Sequence, residues 1–272
     1  MAGGEVVGGA DGGKLAARDA SAIACARFDV RSLPPVVVLT GHYGAGKTNL
    51  ALNLAFDAAA AGVRVALADL DVVNPYFRSS DHAAALAEAG IDLIAPAFAG
   101  TTLDSPGISG KVATAVQWAR EGAAGEGVAA SDPTSTTPHA SRRLLIIDAG
   151  GDDVGATALG RFARTVAQGP YAMLHVVNRS RNLTATPAEA LAVLREVEAA
   201  SHLTVTAVAN NTHLADQTTP EVLERGVTFA REVAKAAGVP LAFSTVEHSL
   251  EGAACDLGVV YPVRILVRKP WE

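Results

Sequence analysis

The sequence predicts an α/β fold built on a doubly wound, mainly parallel sheet with helices on both faces. Short runs rich in Val, Ile and Leu alternate with helical patterns of about 10 to 15 residues, the order that parallel crossovers require. The run Leu144-Leu145-Ile146-Ile147 is apolar throughout, as suits a strand covered on both faces. Several runs end in Asp or Asn, among them those closed by Asp148, Asn178 and Asn210.

Taken in order, residues 1–33 are rich in Gly and Ala, carry charges throughout and lack the apolar core of a secretory signal, so they read as a flexible tail. Residues 34–272 form one domain, a size that buries a single sizeable core. Val36-Val37-Val38-Leu39-Thr40 is the first strand. It feeds into Gly41-His42-Tyr43-Gly44-Ala45-Gly46-Lys47-Thr48, a GxxxxGKT pattern, and then into an Ala/Leu-rich helix through residue 61. Gly62 breaks that helix, residues 63–68 make the second strand, and Asp69-Leu70-Asp71 closes it. A turn is expected at residues 74–78, because Pro75 disfavours helix at Asn74. A short helix over residues 81–90, a strand over 91–94 and a helix over 109–120 follow. Residues 121–142 shift to Gly, Ala, Ser, Thr and Pro and read as a mobile insertion.

The strand over residues 144–147 delivers Asp148, and Ala149-Gly150-Gly151-Asp152-Asp153-Val154-Gly155 leads into a helix over 156–166. A strand over 172–177 comes next. Thr186-Pro187-Ala188-Glu189 is a capping box with proline at the first helical position, opening a helix to about residue 199. Residues 203–209 form a strand that delivers Asn210 and Asn211, Thr219-Pro220-Glu221 opens a helix to Gly238, and strands over 240–244 and 263–267 finish the sheet.

The chemistry is concentrated at the GxxxxGKT loop. Its glycines let the backbone N–H groups turn inward, and the following helix aims its positive end at the same place, so an anion with several oxygens belongs there. Lys47 would reach the outer phosphates and the Thr48 hydroxyl would ligate Mg2+. Ligands in such sheets bind at the carboxyl ends of the strands, where Asp69, Asp71, Asp148 and Asn210 converge on the loop. A net charge of -6 with no Lys/Arg block disfavours nucleic-acid binding. Cys25 and Cys255 belong to no metal or disulfide motif, which fits a reducing cytoplasm. No apolar stretch is long enough for a membrane span, and no other anchor is visible. His82, His139, His175, His202, His213 and His248 show no metal-ligand spacing and read as surface or core residues.

Together GHYGAGKT, DLD and DAGG resemble the MinD/ParA/Mrp (SIMIBI) P-loop ATPases over residues 36–267, most closely a CobQ/CobB/MinD/ParA nucleotide-binding branch. The resemblance implies the P-loop NTPase fold, with ATP and Mg2+ as cofactors. It puts Gly41, His42, Tyr43, Gly44, Ala45, Gly46, Lys47, Thr48, Asn49 and Gly151 around the nucleotide. Thr48, Asp71 and Asp148 fall at the metal, Asp71 through solvent, and Lys47, Asp71 and Asp148 take the catalytic roles. It also sets Asn210 or Asn211 at the adenine edge, where loop capping is the plain alternative; His213 stands where the guanine-reading aspartate of NKxD would be. Many relatives carry GKGGxGKT, whose first lysine crosses a dimer interface; here His42 holds that position, which leaves a homodimer open. Asp69 is equally readable as a cap, Asp152 and Asp153 as turn residues, and Arg78 as solvated.

The activity implied is ATP hydrolysis driving a conformational switch through residues 71–78 and 148–155, on behalf of an unidentified protein or small-molecule client. The alternatives are a small-molecule kinase or ATP-dependent ligase, with an acceptor pocket at residues 101–110, and a non-hydrolysing nucleotide sensor.

Overall fold

Strands without a polar face can only lie inside a sheet covered on both sides, and Val36–Thr40 and the body of Arg143–Ala149 are buried along their length. The computed structural model describes residues 26–71, 79–95, 106–124, 142–151, 153–181, 184–213, 217–253 and 257–267. Their strands are β1 (Val36–Thr40), β2 (Arg64–Leu70), β3 (Asp92–Ile94), β4 (Arg143–Ala149), β5 (Tyr171–Val177), β6 (Ala207–Asn210), β7 (Leu241–Glu247) and β8 (Val260–Val263). All pair in parallel, in the order β3-β2-β4-β1-β5-β6-β7-β8. The helices are α1 (Lys47–Ala60), α2 (Ala83–Glu88), α3 (Pro106–Ala124), α4 (Asp153–Gly160), α5 (Ala163–Ala167), α6 (Pro187–Ser201) and α7 (Pro220–Ala237). The predicted doubly wound architecture is the observed one.

Two apolar layers sandwich the sheet. On one face Leu50, Leu52, Leu54 and Ala58 of α1 pack with Val37, Leu39 and Ile146; on the other Val112, Val116 and Leu159 pack with Val36, Val38 and Ile147. This alternation along β1 and β4 follows from the period-two geometry of a strand. Register then does the functional positioning. Pairing of Val36 with Leu145 carries Leu39 opposite Asp148, and pairing of Arg64 with Arg143 carries Asp69 opposite Asp148.

Several boundaries differ from expectation for identifiable reasons. Residues 27–33, read as part of the tail, belong to the domain: Phe28 N–H donates to Val260 O at 2.8 Å, and the Phe28 ring lies 4.5 Å from that of Phe243. Helix α3 continues to Ala124, so the expected insertion loses its first residues to a helix, and 125–141 lie outside the described residues. Strand β6 starts at Ala207 rather than at 203, because side chains replace the ladder just before it. Glu198 Oε1 accepts from Val205 N–H, and the Thr206 hydroxyl accepts from Met173 N–H. The helix expected over 156–166 is two, broken after Gly160; a methyl there would come 2.9 Å from Ala200 O.

The last strand is Val260–Val263, not 263–267. As an edge strand it accommodates Pro262, which lacks a ladder donor. Residues 264–267 instead run along α1, held by two asparagines. Asn53 Nδ2 donates to Arg264 O at 2.9 Å and its Oδ1 accepts from Arg264 N–H at 2.8 Å. Asn49 bonds the same carbonyl and the N–H of Leu266.

Asn53 is 1% exposed, and its truncation strands Arg264 N–H, while Arg264 O keeps Asn49 Nδ2 as a donor. Asn53→Ala should lower the unfolding free energy by about 1–3 kcal/mol for that stranded group. The check is urea denaturation, with a lower midpoint at unchanged slope; a wild-type midpoint would show the tether to be dispensable.

Candidate functional site

The GxxxxGKT loop leaves β1 at the point where the order of strands reverses, with β4 on one side and β5 on the other. Its backbone requires glycine. Gly46 has φ 88°, and a methyl on it would collide with Asn211 Nδ2; at Gly41, φ 138°, one would collide with the Val176 carbonyl. No side chain caps α1, so its first-turn N–H groups remain available to an anion. Lys47 and Thr48 are buried at this helix start. Lys47 Nζ donates to Gly41 O at 3.0 Å and His42 O at 3.3 Å, holding the ammonium beneath the loop.

Asp148 is the best-defined acid. It is 1% exposed, and its Oδ2 accepts the Thr48 hydroxyl at 2.7 Å. Among the described residues its Oδ1 has no hydrogen-bond partner. Burial pushes its carboxyl up to about 7, and repulsion from Asp69 and Asp71 works in the same direction, against the Lys47 charge and the Thr48 hydrogen bond. A half-satisfied carboxylate beside a hydroxyl is a donor set suited to a hydrated, oxygen-loving divalent cation, which needs few protein ligands. Among the described residues no three His, Cys, Asp or Glu side chains form a closed metal cage.

Of the DLD pair, Asp69 caps the strand's exit: Oδ1 accepts from Asp71 N–H and Oδ2 from Ser79 N–H, both at 3.1 Å. Asp71 lies nearly buried at the same place, close enough to act on Asp148. The Asn74 turn and Arg78 lie outside the described residues, as do Asp152 and residues 101–105 of the expected acceptor segment. Gly151 packs against the loop so closely that a methyl on it would meet Tyr43 N, Gly41 O and Lys47 Nζ at 2.6 to 2.7 Å.

Both asparagines expected at the base edge are built into the scaffold. Asn211 Nδ2 donates to Ala45 O at 2.7 Å while its Oδ1 accepts the Thr245 hydroxyl at 2.6 Å, tying the loop to β6 and β7. Asn210 bonds Ser244 Oγ and Thr212 N–H. Asn49, expected beside the nucleotide, has its side chain engaged with residues 264–267. His42 Nδ1 lies 3.0 Å from Tyr43 O, and the Tyr43 side chain is exposed.

The loop also has neighbours that residue order alone does not reveal. His175 on β5 is buried beside Thr40, and burial, with Lys47 nearby, holds it down at about 3, so it is neutral. Arg181 flanks Gly44 and His213 flanks Gly46. Burial lowers the His213 pKa, Arg181 adds to this and Glu247 opposes it. In the sequence Arg181 and His213 are marked only by following the ends of β5 and β6, His213 also by its place in the NKxD comparison, and His175 lies within β5 with no signal of its own.

This is a P-loop nucleotide-binding domain: a parallel sheet whose central strand opens a phosphate cradle, with a buried acid on the adjacent strand. Residues 36–198, more than half of the chain, match the CobQ/CobB/MinD/ParA nucleotide-binding domain (CbiA), and the chain belongs to that family, whose members typically hydrolyse nucleotides. Among solved structures it is similar to the cell division protein FtsY of Thermotoga maritima, at TM-score 0.51 and 19% identity, covering 86% of this chain and 73% of that one. The signal recognition particle receptor FtsY of Elizabethkingia anophelis gives TM-score 0.51 and 21% identity, covering 81% and 61%. Chloroplast FtsY of Physcomitrella patens gives 0.50 and 18%, covering 78% and 58%. The chain thus spans about three fifths of the length of the last two. At these identities the likeness is one of fold. No curated protein sequence matches. Among the described residues no helix is long and apolar enough to cross a membrane.

The Asp148 environment sets a pH dependence in the ligand-free protein. Its folded pKa, about 7, exceeds the ordinary carboxyl value of 3.8, so folding takes up a proton between the two. Its contribution to stability is therefore full below the lower value and falls as pH rises toward the upper. Asp148→Asn removes that loss: its melting temperature should match wild type only below about pH 4 and exceed it by a growing margin toward pH 8. A variant less stable than wild type at pH 8 would contradict the assignment.

Proposed function

We propose that this protein is a Mg2+-dependent ATPase whose hydrolytic cycle moves the segments at residues 71–78 and 148–155 for a protein or small-molecule client. The observation that carries the reading is Asp148, enclosed beside the phosphate cradle, held by Thr48 and with one oxygen unpartnered among the described residues. A Mg2+ ion held by Thr48 and Asp148 would neutralise charge on the phosphate oxygens. The chain's own residues do the rest. Loop N–H groups and the α1 terminus hold the phosphates, and Lys47 presents its charge from beneath. Asp71, at the exit of β2, orients the attacking water. Gly151 lets the chain after β4 lie against the loop, so that a phosphate arriving there moves the segment that follows. Adenine is favoured because His213 stands where a guanine-reading aspartate would be. A cytoplasmic location is consistent with the cysteine pattern.

Phosphate release from ATP and Mg2+ by the purified protein tests this directly; slow basal turnover supports the switch. Turnover only when a metabolite is added would favour a kinase or ligase instead. For wild type, ATP at a hundred times its dissociation constant should add about 2.7 kcal/mol of stability. Lys47→Ala should lose that thermal shift, and a retained shift would sink the cradle assignment. Asp71→Asn should keep the shift and lose turnover, so full turnover in that variant would remove its catalytic role.

A further inference from the structure

Asp69 and Asp148 stand side by side across β2 and β4, both buried. Asp69 uses its two oxygens on the N–H groups of Asp71 and Ser79. Beside this arrangement, two enclosed polar atoms have no partner among the described residues: Asp148 Oδ1 and the Ser79 hydroxyl. Ser79 is 0% exposed. An unpaired buried hydroxyl is costly, and native proteins satisfy nearly all such groups with protein, water or an ion. Both atoms belong to residues that adjoin Asp69, Asp148 by strand pairing and Ser79 by its N–H, and each calls for a polar partner.

Topology indicates what it is. In the order β2-β4-β1, Asp148 on β4 separates the loop side from the β2 side. Thr48, which follows β1, engages Asp148 from the first; Ser79 is anchored to Asp69 on the second. Resting on the cation proposed at Thr48 and Asp148, the geometry points to Ser79 as a positioning residue. Its hydroxyl and Asp148 Oδ1 share an ordered water in the outer surroundings of the divalent cation, and Asp69 is the bracket that holds Ser79 in place. A hydroxyl suits this because it can donate to Asp148 or to the water and still accept. Mg2+ keeps several of its own waters, so such a partner has something to hold.

Removing an outer partner of this kind typically costs 10- to 100-fold in metal affinity. The test compares Ser79→Ala with wild type in the full chain by thermal shift: without ligand, with a non-hydrolysable ATP analogue in EDTA, and with the analogue across a Mg2+ titration. The ligand-free melting temperature should be unchanged or raised, since an unpaired hydroxyl has gone. The shift in EDTA should be unchanged. The Mg2+ concentration giving half the additional shift should rise about tenfold or more. A titration that overlays wild type overturns the inference, as does a lower ligand-free melting temperature with a proportional loss in EDTA, because the hydroxyl would then serve packing alone. A wild type indifferent to Mg2+ would take down the cation site and this inference together, whereas a responsive wild type with an unaltered variant removes the inference alone.

Discussion

A carboxylate enclosed by protein has to be neutralised, paired or handed to a cation, and the arrangement around Asp148 follows from that constraint. The strand that carries it is apolar through Ile147, so the acid is at the end of a dry run and cannot reach solvent. The Thr48 hydroxyl answers one oxygen, and the adjacent Asp69, another acid with no proton to offer when ionised, is turned to backbone amides instead. Burial and the neighbouring acids push the Asp148 carboxyl up, so a further positive partner beside it would favour its charged form.

The cradle itself is fixed from several directions. Asn211 ties Ala45 to the ends of β6 and β7, Gly41 lies against Val176 of β5, and the buried His175 stays neutral, adding no positive charge beside Lys47. On the far side of α1, Asn49 and Asn53 clamp residues 264–267, while Asp57 receives Tyr261 and Arg264. A phosphate loop anchored this firmly does not need to move.

Much of this architecture is legible in the residue order. Apolar runs and capping signals place the strands and helices near their observed positions, and Thr186 and Glu189 form the reciprocal cap their spacing implies. The departures arise where a local pattern meets a tertiary alternative. Leu203 and Val205 look like strand residues because they are buried, yet they enter the core from a loop whose N–H groups are met by the side chains of Ser201, Tyr171 and Glu198. Pro262 reads as a strand breaker, but at a sheet edge its missing donor faces no partner.

The sequence by itself determined the fold class and the phosphate cradle, because both depend on short-range features: hydrophobic period, caps and a glycine spacing that no other use requires. It could also nominate Asp71 and Asp148, since an acid after a buried strand is conspicuous. Only the tertiary structure shows what the neighbouring acids and amides touch. Asn49, Asn210, Asn211 and Asp69 were all reasonable nucleotide or metal residues, and each proved to have a hydrogen-bond partner far away in the chain or on a returning segment. A side chain's chemistry can be read from its type, but its partner is chosen by strand register and crossover, which are properties of the whole sheet.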